Sequence, residues 1–310
     1  MSSIATSPHL GRTIAHHFWD KTEPPQLVVE PGDVIDLELR DGSNGQITPT
    51  TVAADLHSLH QDQMDPLTGP IWVTGAVPGD AISVEILDIR LGSWGWSGIL
   101  PGFGLLADQF PDTYIRGWDT TGDTVEIAPG HTFALRPMLG VIGVAPPDPG
   151  RFASTVPTNA GGNIDVKYAR TGSSILLPVF NEGALLSLGD AHALQGDGEL
   201  SGTAIECEAD VTLRIGLVKG AELEAPVIDT GIATDDPTER HRVFLGVGSD
   251  LFQAARAASS RAVDAVSSAL ELEPHVAYAL LGTIAELRIN EVVDRPNWVV
   301  GCLVPSRLFK

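Results

Sequence analysis

The chain has 310 residues, with 19 Lys and Arg against 40 Asp and Glu, a formal charge of −21 and a sequence pI near 4.6. No cationic surplus is left to neutralise phosphates, which argues against nucleic acid and against an anionic membrane surface. Apolar residues make up 43% of the chain, enough for a core, so the acidity does not signal disorder.

The two cysteines, Cys207 and Cys302, form no CxxC pair, which speaks against a disulfide framework or a Cys-based zinc site. No apolar run reaches the roughly 18 residues that a spanning helix needs. The first dozen residues lack a basic stretch followed by an apolar one, so no secretory leader is expected and the cytoplasm is the expected compartment. With 33 Gly and 22 Pro, many turns and short strands are expected.

Residues 13–219 read as all-β. A strand at residues 26–30 runs into the turn Pro31-Gly32-Asp33 and then a strand at 34–39, whose apolar and acidic residues partly alternate as a one-sided strand requires. The device recurs: residues 71–73, then Val77-Pro78-Gly79-Asp80, then a strand at 81–89. Further strands are expected at 124–127, 174–179 and 203–217. Gly/Pro turns between short strands suggest a sandwich or barrel.

Residues 222–239 read as an acidic surface connection holding a short strand at 226–228. A helix follows, with Leu251, Ala255, Ala258, Ala262, Val266 and Ala269 at helical spacing and Asp250 placed as its cap. Pro274 opens a second helix carrying Val276, Leu280, Ile284 and Leu287 on one face. Residues 299–304 form a final strand. The expected class is α+β: a β-rich, sandwich- or barrel-like body at 13–220 carrying the site, and a smaller α/β part at 221–310 packed on it.

The densest polar motif is Gly189-Asp190-Ala191-His192-Ala193-Leu194-Gln195-Gly196-Asp197-Gly198-Glu199. Asp190 and His192 are two apart and share one side of an extended segment. Imidazole and carboxylate suit zinc, and the glycines let backbone approach a ligand. A Gly/Asp-rich hairpin is the plain alternative. In Asn159-Ala160-Gly161-Gly162-Asn163-Ile164-Asp165, Asn163 is a candidate donor to a substrate carbonyl oxygen and Asp165 a candidate metal ligand or base, against simple turn chemistry.

His57 and His60, followed by Asp62 and Asp65, are a weaker metal pair that also reads as a surface loop. Asp41-Gly42-Ser43-Asn44-Gly45-Gln46 is either a tight turn or the edge of a polar site. The apolar segment 94–106 is expected to wall a pocket or to pack a partner copy. No GxSxG elbow supports a serine nucleophile, and Cys207 reads as a buried strand residue.

Together these motifs resemble the acetamidase/formamidase family over residues 16–305. The residues that carry the resemblance are His17-Phe18-Trp19-Asp20, Val29-Glu30-Pro31-Gly32-Asp33, Gly45-Gln46-Ile47-Thr48, Leu67-Thr68-Gly69-Pro70, Pro101-Gly102-Phe103-Gly104, Gly161-Gly162-Asn163-Ile164-Asp165 and the run from Gly189 to Glu199. Leu194 stands where the pattern commonly has Ala, and Ala160 where an aromatic residue or His is frequent.

The resemblance implies hydrolysis of short aliphatic amides to ammonia and a carboxylate, and a divalent metal, zinc and sometimes calcium. Carried onto this chain, it gives Asp165, Asp190 and His192 as metal ligands. Glu199 becomes the acid/base, with Asp197 and Asn163 as further catalytic candidates. It also implies a homo-oligomer. Hydrolysis of another small C–N substrate, and a non-catalytic calcium module, are the competing readings.

Overall fold

The computed structural model describes residues 7–231 and 240–309. Part of the acidic connection, including Asp235, Asp236 and Glu239, lies outside the described residues.

The two Pro-Gly-Asp corners are built alike. The Asp33 N–H donates to the Glu30 carbonyl at 3.0 Å, and the Glu30 N–H donates to Asp33 Oδ2 at 2.9 Å. Val77 and Asp80 make the same two bonds, at 3.0 and 2.9 Å. Gly32 and Gly79 have φ of 106° and 93° with open space where a Cβ would stand. Backbone conformation, not crowding, therefore requires glycine there.

The first corner joins β1 (Leu27–Val29) to β2 (Val34–Leu39), and the second leads from β3 (Leu67–Val73) into β4 (Ala81–Ile99). In β2, burial follows the two-residue period: Ile35, Leu37 and Leu39 are buried and the residues between them are half exposed. Burying each such side chain contributes about 1.5–3 kcal/mol.

The remaining principal strands are β5 (Met138–Gly143), β6 (Gly161–Asn163), β7 (Ser174–Pro178), β8 (Leu186–His192), β9 (Glu206–Val218), β10 (Val227–Asp229), β11 (His241–Gly248), β12 (Glu286–Glu291) and β13 (Trp298–Pro305). The main path of the large sheet runs β6-β5-β8-β9-β4-β7-β10-β11-β13-β12. It is open and branched, not a closed barrel.

One branch lies in β8, which pairs with β5 along one edge and divides the other. Leu186 to Gly189 face β3, whereas Ala191 and His192 face β9. Asp190 stands at the division with φ of 52°, a kink that lets one strand serve two partners.

Helix α1 (Leu251–Leu270) is capped as expected, with Asp250 Oδ1 accepting the Gln253 N–H at 2.8 Å. It buries Ala254, Ala258, Ala262 and Val266. Helix α2 (Pro274–Ile284) buries Ala277 and Leu281 instead of the expected face. Val276, Leu280 and Ile284 are exposed, and Leu287 belongs to β12. The buried stripe is the narrower one, one residue along, because α2 packs on α1 and β13 through small side chains. The pairing of β7 with β10 carries the sheet from the β-rich body into the C-terminal part.

Candidate active site

Several strands and the segments that follow them deliver side chains to one buried cluster. Asp190 and His192 come from β8, and Glu206 comes from the start of β9. Asn163 ends β6, with Asp165 two residues on. Glu199 follows the β8 strand in the Gly-rich loop.

The segment after β12 supplies Asp294, beside Glu291 at the end of that strand. Glu206 is the cross-strand partner of His192, so the pleat puts both on one face. Asp65, just before β3, faces Asn163. Asp65, Asp165, Asp190 and Glu199 all hold φ between 45° and 52°. Side chains rarely adopt that region, and it concentrates at functional sites.

His192 Nε2 lies 3.0 Å from Asp190 Oδ2 and 3.0 Å from Glu206 Oε2, and its Nδ1 lies 3.6 Å from Asp165 Oδ1. The Nδ1–H donates to Gln195 Oε1 at 2.7 Å, and Gln195 Nε2 donates to the Asp165 carbonyl at 2.8 Å. Gln195 thus fixes the ring, as groups behind metal-binding histidines do. In the neutral ring the Nε2 lone pair faces two carboxylate oxygens, which repel it unless a proton or cation intervenes.

Three overlapping sets of ligand atoms each lie within 4.8 Å of one another: Asp165, Asp190 and His192; His192, Glu199 and Glu206; Asp165, Glu199 and Asp294. Both Asp165 carboxylate oxygens, Asp190 Oδ1, His192 Nε2 and Glu291 Oε2 are buried without a hydrogen-bond partner. Buried oxygens are rarely left so. Oxygen donors with one imidazole suit a divalent cation, zinc among them.

The electrostatics agree. Burial pushes Asp165 and Glu206 up to about 7, against the pull of His192. Burial raises Glu199 well above the usual carboxylate range, reinforced by Asp165, and raises Asp294, reinforced by Glu291. Burial also works to raise Asp190, but the charge of His192 holds it below its ordinary value. Burial alone would lower His192, yet Asp190 and Glu206 raise it well above its ordinary value. Without a cation the cluster therefore retains protons near neutral pH, and a bound cation would displace them.

Two glycines make room. A Cβ on Gly140, across β5 from Asp190, would stand 2.4 Å from Asp190 Oδ2 and 2.7 Å from Asp165 Oδ1. A Cβ on Gly42 would stand 2.6 Å from Asp190 Oδ1 and 2.9 Å from Glu206 Oε2. The segment 41–46 is thus both a turn and a site edge: Asp41 accepts from the Ser43 and Gly45 N–H groups at 2.9 Å while Gly42 borders the carboxylates. The cluster opens into a cavity of about 650 Å³, lined also by Met64, Trp96, Leu100, Phe103, Leu105 and Trp298. Within the segment 94–106, residues up to Ile99 end β4, and Trp96 together with Leu100 to Leu105 lines the cavity.

Other candidates fall elsewhere. Asp197 pairs with Lys167 Nζ at 2.8 Å and Arg288 at 3.5 Å, outside the three ligand sets. The Asn163 amide donates to Asp294 Oδ2 at 2.8 Å and Asp65 Oδ2 at 3.4 Å. His57 and His60 are exposed. Cys207 is buried, and burial raises its thiol. Glu206, Asp294 and Glu291 escaped the motif reading.

Residues 5–149 and 150–310 match the model of the Acetamidase/Formamidase family. A formamidase of Methylophilus methylotrophus is 29% identical across 95% of this chain and 89% of its own length. The crystal structure of an acetamidase from Bacillus halodurans is similar with a TM-score of 0.89 at 30% identity, covering 97% of this chain and 98% of that one. A gamma lactamase from Delftia acidovorans is similar with a TM-score of 0.68 at 27% identity, covering 96% of this chain and 90% of that one.

Proposed function

The chain belongs to the acetamidase/formamidase family, and on that premise we propose that it hydrolyses small linear amides to ammonia and a carboxylate at the buried carboxylate–histidine cluster. The observation that carries this reading is the set of unpartnered buried ligand atoms around His192, opening into a cavity.

Asp165, Asp190 and His192, joined by Glu206, would hold a divalent metal, zinc first and calcium second. When bound, such an ion lowers the pKa of water and polarises a carbonyl oxygen. The chain's own groups do the rest. Glu199, kept protonatable by burial and by Asp165, takes a proton from the attacking water and returns it to the leaving nitrogen. Asn163 orients the Asp294 and Asp65 carboxylates with its amide protons. Gln195 holds the His192 ring. Asp197 anchors the Gly-rich loop through Lys167 and Arg288.

His192→Ala is the direct test: the variant should lose bound metal and lower kcat for acetamide by at least about a hundredfold. Full metal content with full turnover would refute the reading. Kinship with a gamma lactamase favours a second substrate, a cyclic amide, whose opening releases no ammonia and is scored by the ring-opened product. The exposed apolar residues Leu105, Leu106 and Phe110 support association with further copies of the chain, measurable by light scattering.

A further inference from the structure

Among the described residues, the carboxylates that line the cavity are Asp65, Asp190, Glu199, Glu206 and Asp294. All but Asp65 are buried and belong to the sets of ligand atoms. Asp65 belongs to none of these sets and is half-buried, with its exposure into the cavity. It is the carboxylate that a bound cation leaves to meet a solute.

Its position is built. The Asp65 N–H donates to the Gly42 carbonyl at 2.8 Å. Gly42 sits in the turn that Asp41 closes, and Trp96 Nε1 donates to Asp41 Oδ1 at 3.1 Å. The Asn163 amide donates to Asp65 Oδ2 at 3.4 Å. Asp65 Oδ1 has no such donor among the described residues. It lies 3.3 Å from where a Gly42 Cβ would stand, a point that Asp190 Oδ1 and Glu206 Oε2 approach at 2.6 and 2.9 Å. One acceptor oxygen is thus fixed beside the ligand cluster.

An ionised carboxylate accepts hydrogen bonds and donates none. Beside an acyl centre it suits the N–H of an amide and opposes the lone pairs of an ester oxygen. We infer that Asp65 is the specificity residue for the substrate nitrogen: its Oδ1 accepts an amide N–H while the carbonyl lies toward the ligand cluster. An N–H held in the amide plane leaves the nitrogen lone pair, which develops out of that plane as the carbonyl is attacked, to the proton from Glu199. After hydrolysis the new carboxylate meets like charge at Asp65, which favours its release. This rests on the amide-hydrolase reading above and names the residue that selects amides.

The test compares acetamide with methyl acetate, which carries the same acyl group and no N–H, on the zinc-loaded enzyme. A site that hydrogen-bonds a substrate N–H rejects an analogue lacking it by up to about 10⁴–10⁵-fold. Although the ester is the more reactive in water, kcat/KM should favour acetamide at least about tenfold. Asp65→Asn should cut that preference at least about tenfold. It should also tighten acetate binding, read by calorimetry, at least about tenfold, with zinc content at saturation unchanged. A preference and an acetate affinity like those of the wild type would overturn the inference, and so would loss of bound zinc, which would make Asp65 a ligand. Where the variant does not fold, the wild type decides: preference for acetamide supports the inference, and methyl acetate turned over as fast or faster overturns it. In all these outcomes ammonia release from acetamide leaves amide hydrolysis standing. A folded, zinc-binding wild type that releases ammonia from neither acetamide nor formamide would instead overturn the amide-hydrolase reading, and this inference with it.

Discussion

At the scale of single residues, the site depends on groups that never touch a substrate. Gln195 accepts the His192 Nδ1–H and ties the ring to the Asp165 carbonyl. Gln195→Leu should therefore weaken zinc binding about 10–100-fold with little change in fold. Competition against a chelator measures this, and an unchanged affinity would speak against a positioning role. Gly140 lacks the left-handed φ of many other glycines, so alanine is tolerated by its backbone. Its Cβ would nevertheless press on Asp190 and Asp165. Gly140→Ala should keep its circular dichroism spectrum and lose about a hundredfold or more in kcat; wild-type turnover would show that the carboxylates can give way. Asp190 and His192 were legible because two-residue spacing on a strand implies a shared face, and Asp165 because its Gly-rich neighbours stood out. Glu206 and Asp294 were not, since a pairing between β8 and β9 and a return of the chain after β12 bring them in, and neither leaves a local pattern.

At the scale of elements, the two Pro-Gly-Asp corners were readable as turns between strands, whereas the aspartate side chain that closes each one emerges only in the structure. Asp80 adds a pH dependence. Its carboxylate accepts from Lys219 Nζ at 2.5 Å, the Gly220 N–H at 3.0 Å and the Val77 N–H at 2.9 Å, and these bonds, the one from Lys219 foremost, hold it at about 2 against an ordinary 3.8. A lowered carboxylate pKa stabilises the fold above the ordinary value and stops doing so as pH falls through the folded one. Asp80→Asn should therefore melt below the wild type at pH 7, with the gap closing between about pH 4 and pH 2. A gap constant across that range would mean that charge is not the cause. The face expected of α2 was misread because Val276, Leu280 and Ile284 share helical spacing as well as Ala277 and Leu281 do. Only the position of α1 and β13 decides which stripe is buried. The branched sheet was likewise out of reach, since its branches come from long-range pairings such as β3 and β9 sharing one edge of β8.

At the scale of the whole molecule, the charge of −21 divides into two parts. Much of it is solvated, while Asp165, Asp190, Glu199, Glu206, Glu291 and Asp294 are buried around a single histidine. So many buried carboxylates repel one another unless protons or a cation intervene. The C-terminal stretch takes part, because Glu291 and Asp294 join a cluster founded on the β-rich body. No helix among the described residues is long and apolar enough to cross a membrane. We propose that this cluster holds a divalent cation and that amide hydrolysis depends on it. The most direct test is stepwise addition of zinc to chelator-stripped protein, with bound metal and ammonia release read together. Turnover should be negligible in the stripped protein and should rise in proportion to metal bound, less so at low pH where the cluster keeps its protons. Full turnover by protein shown to be metal-free would contradict it.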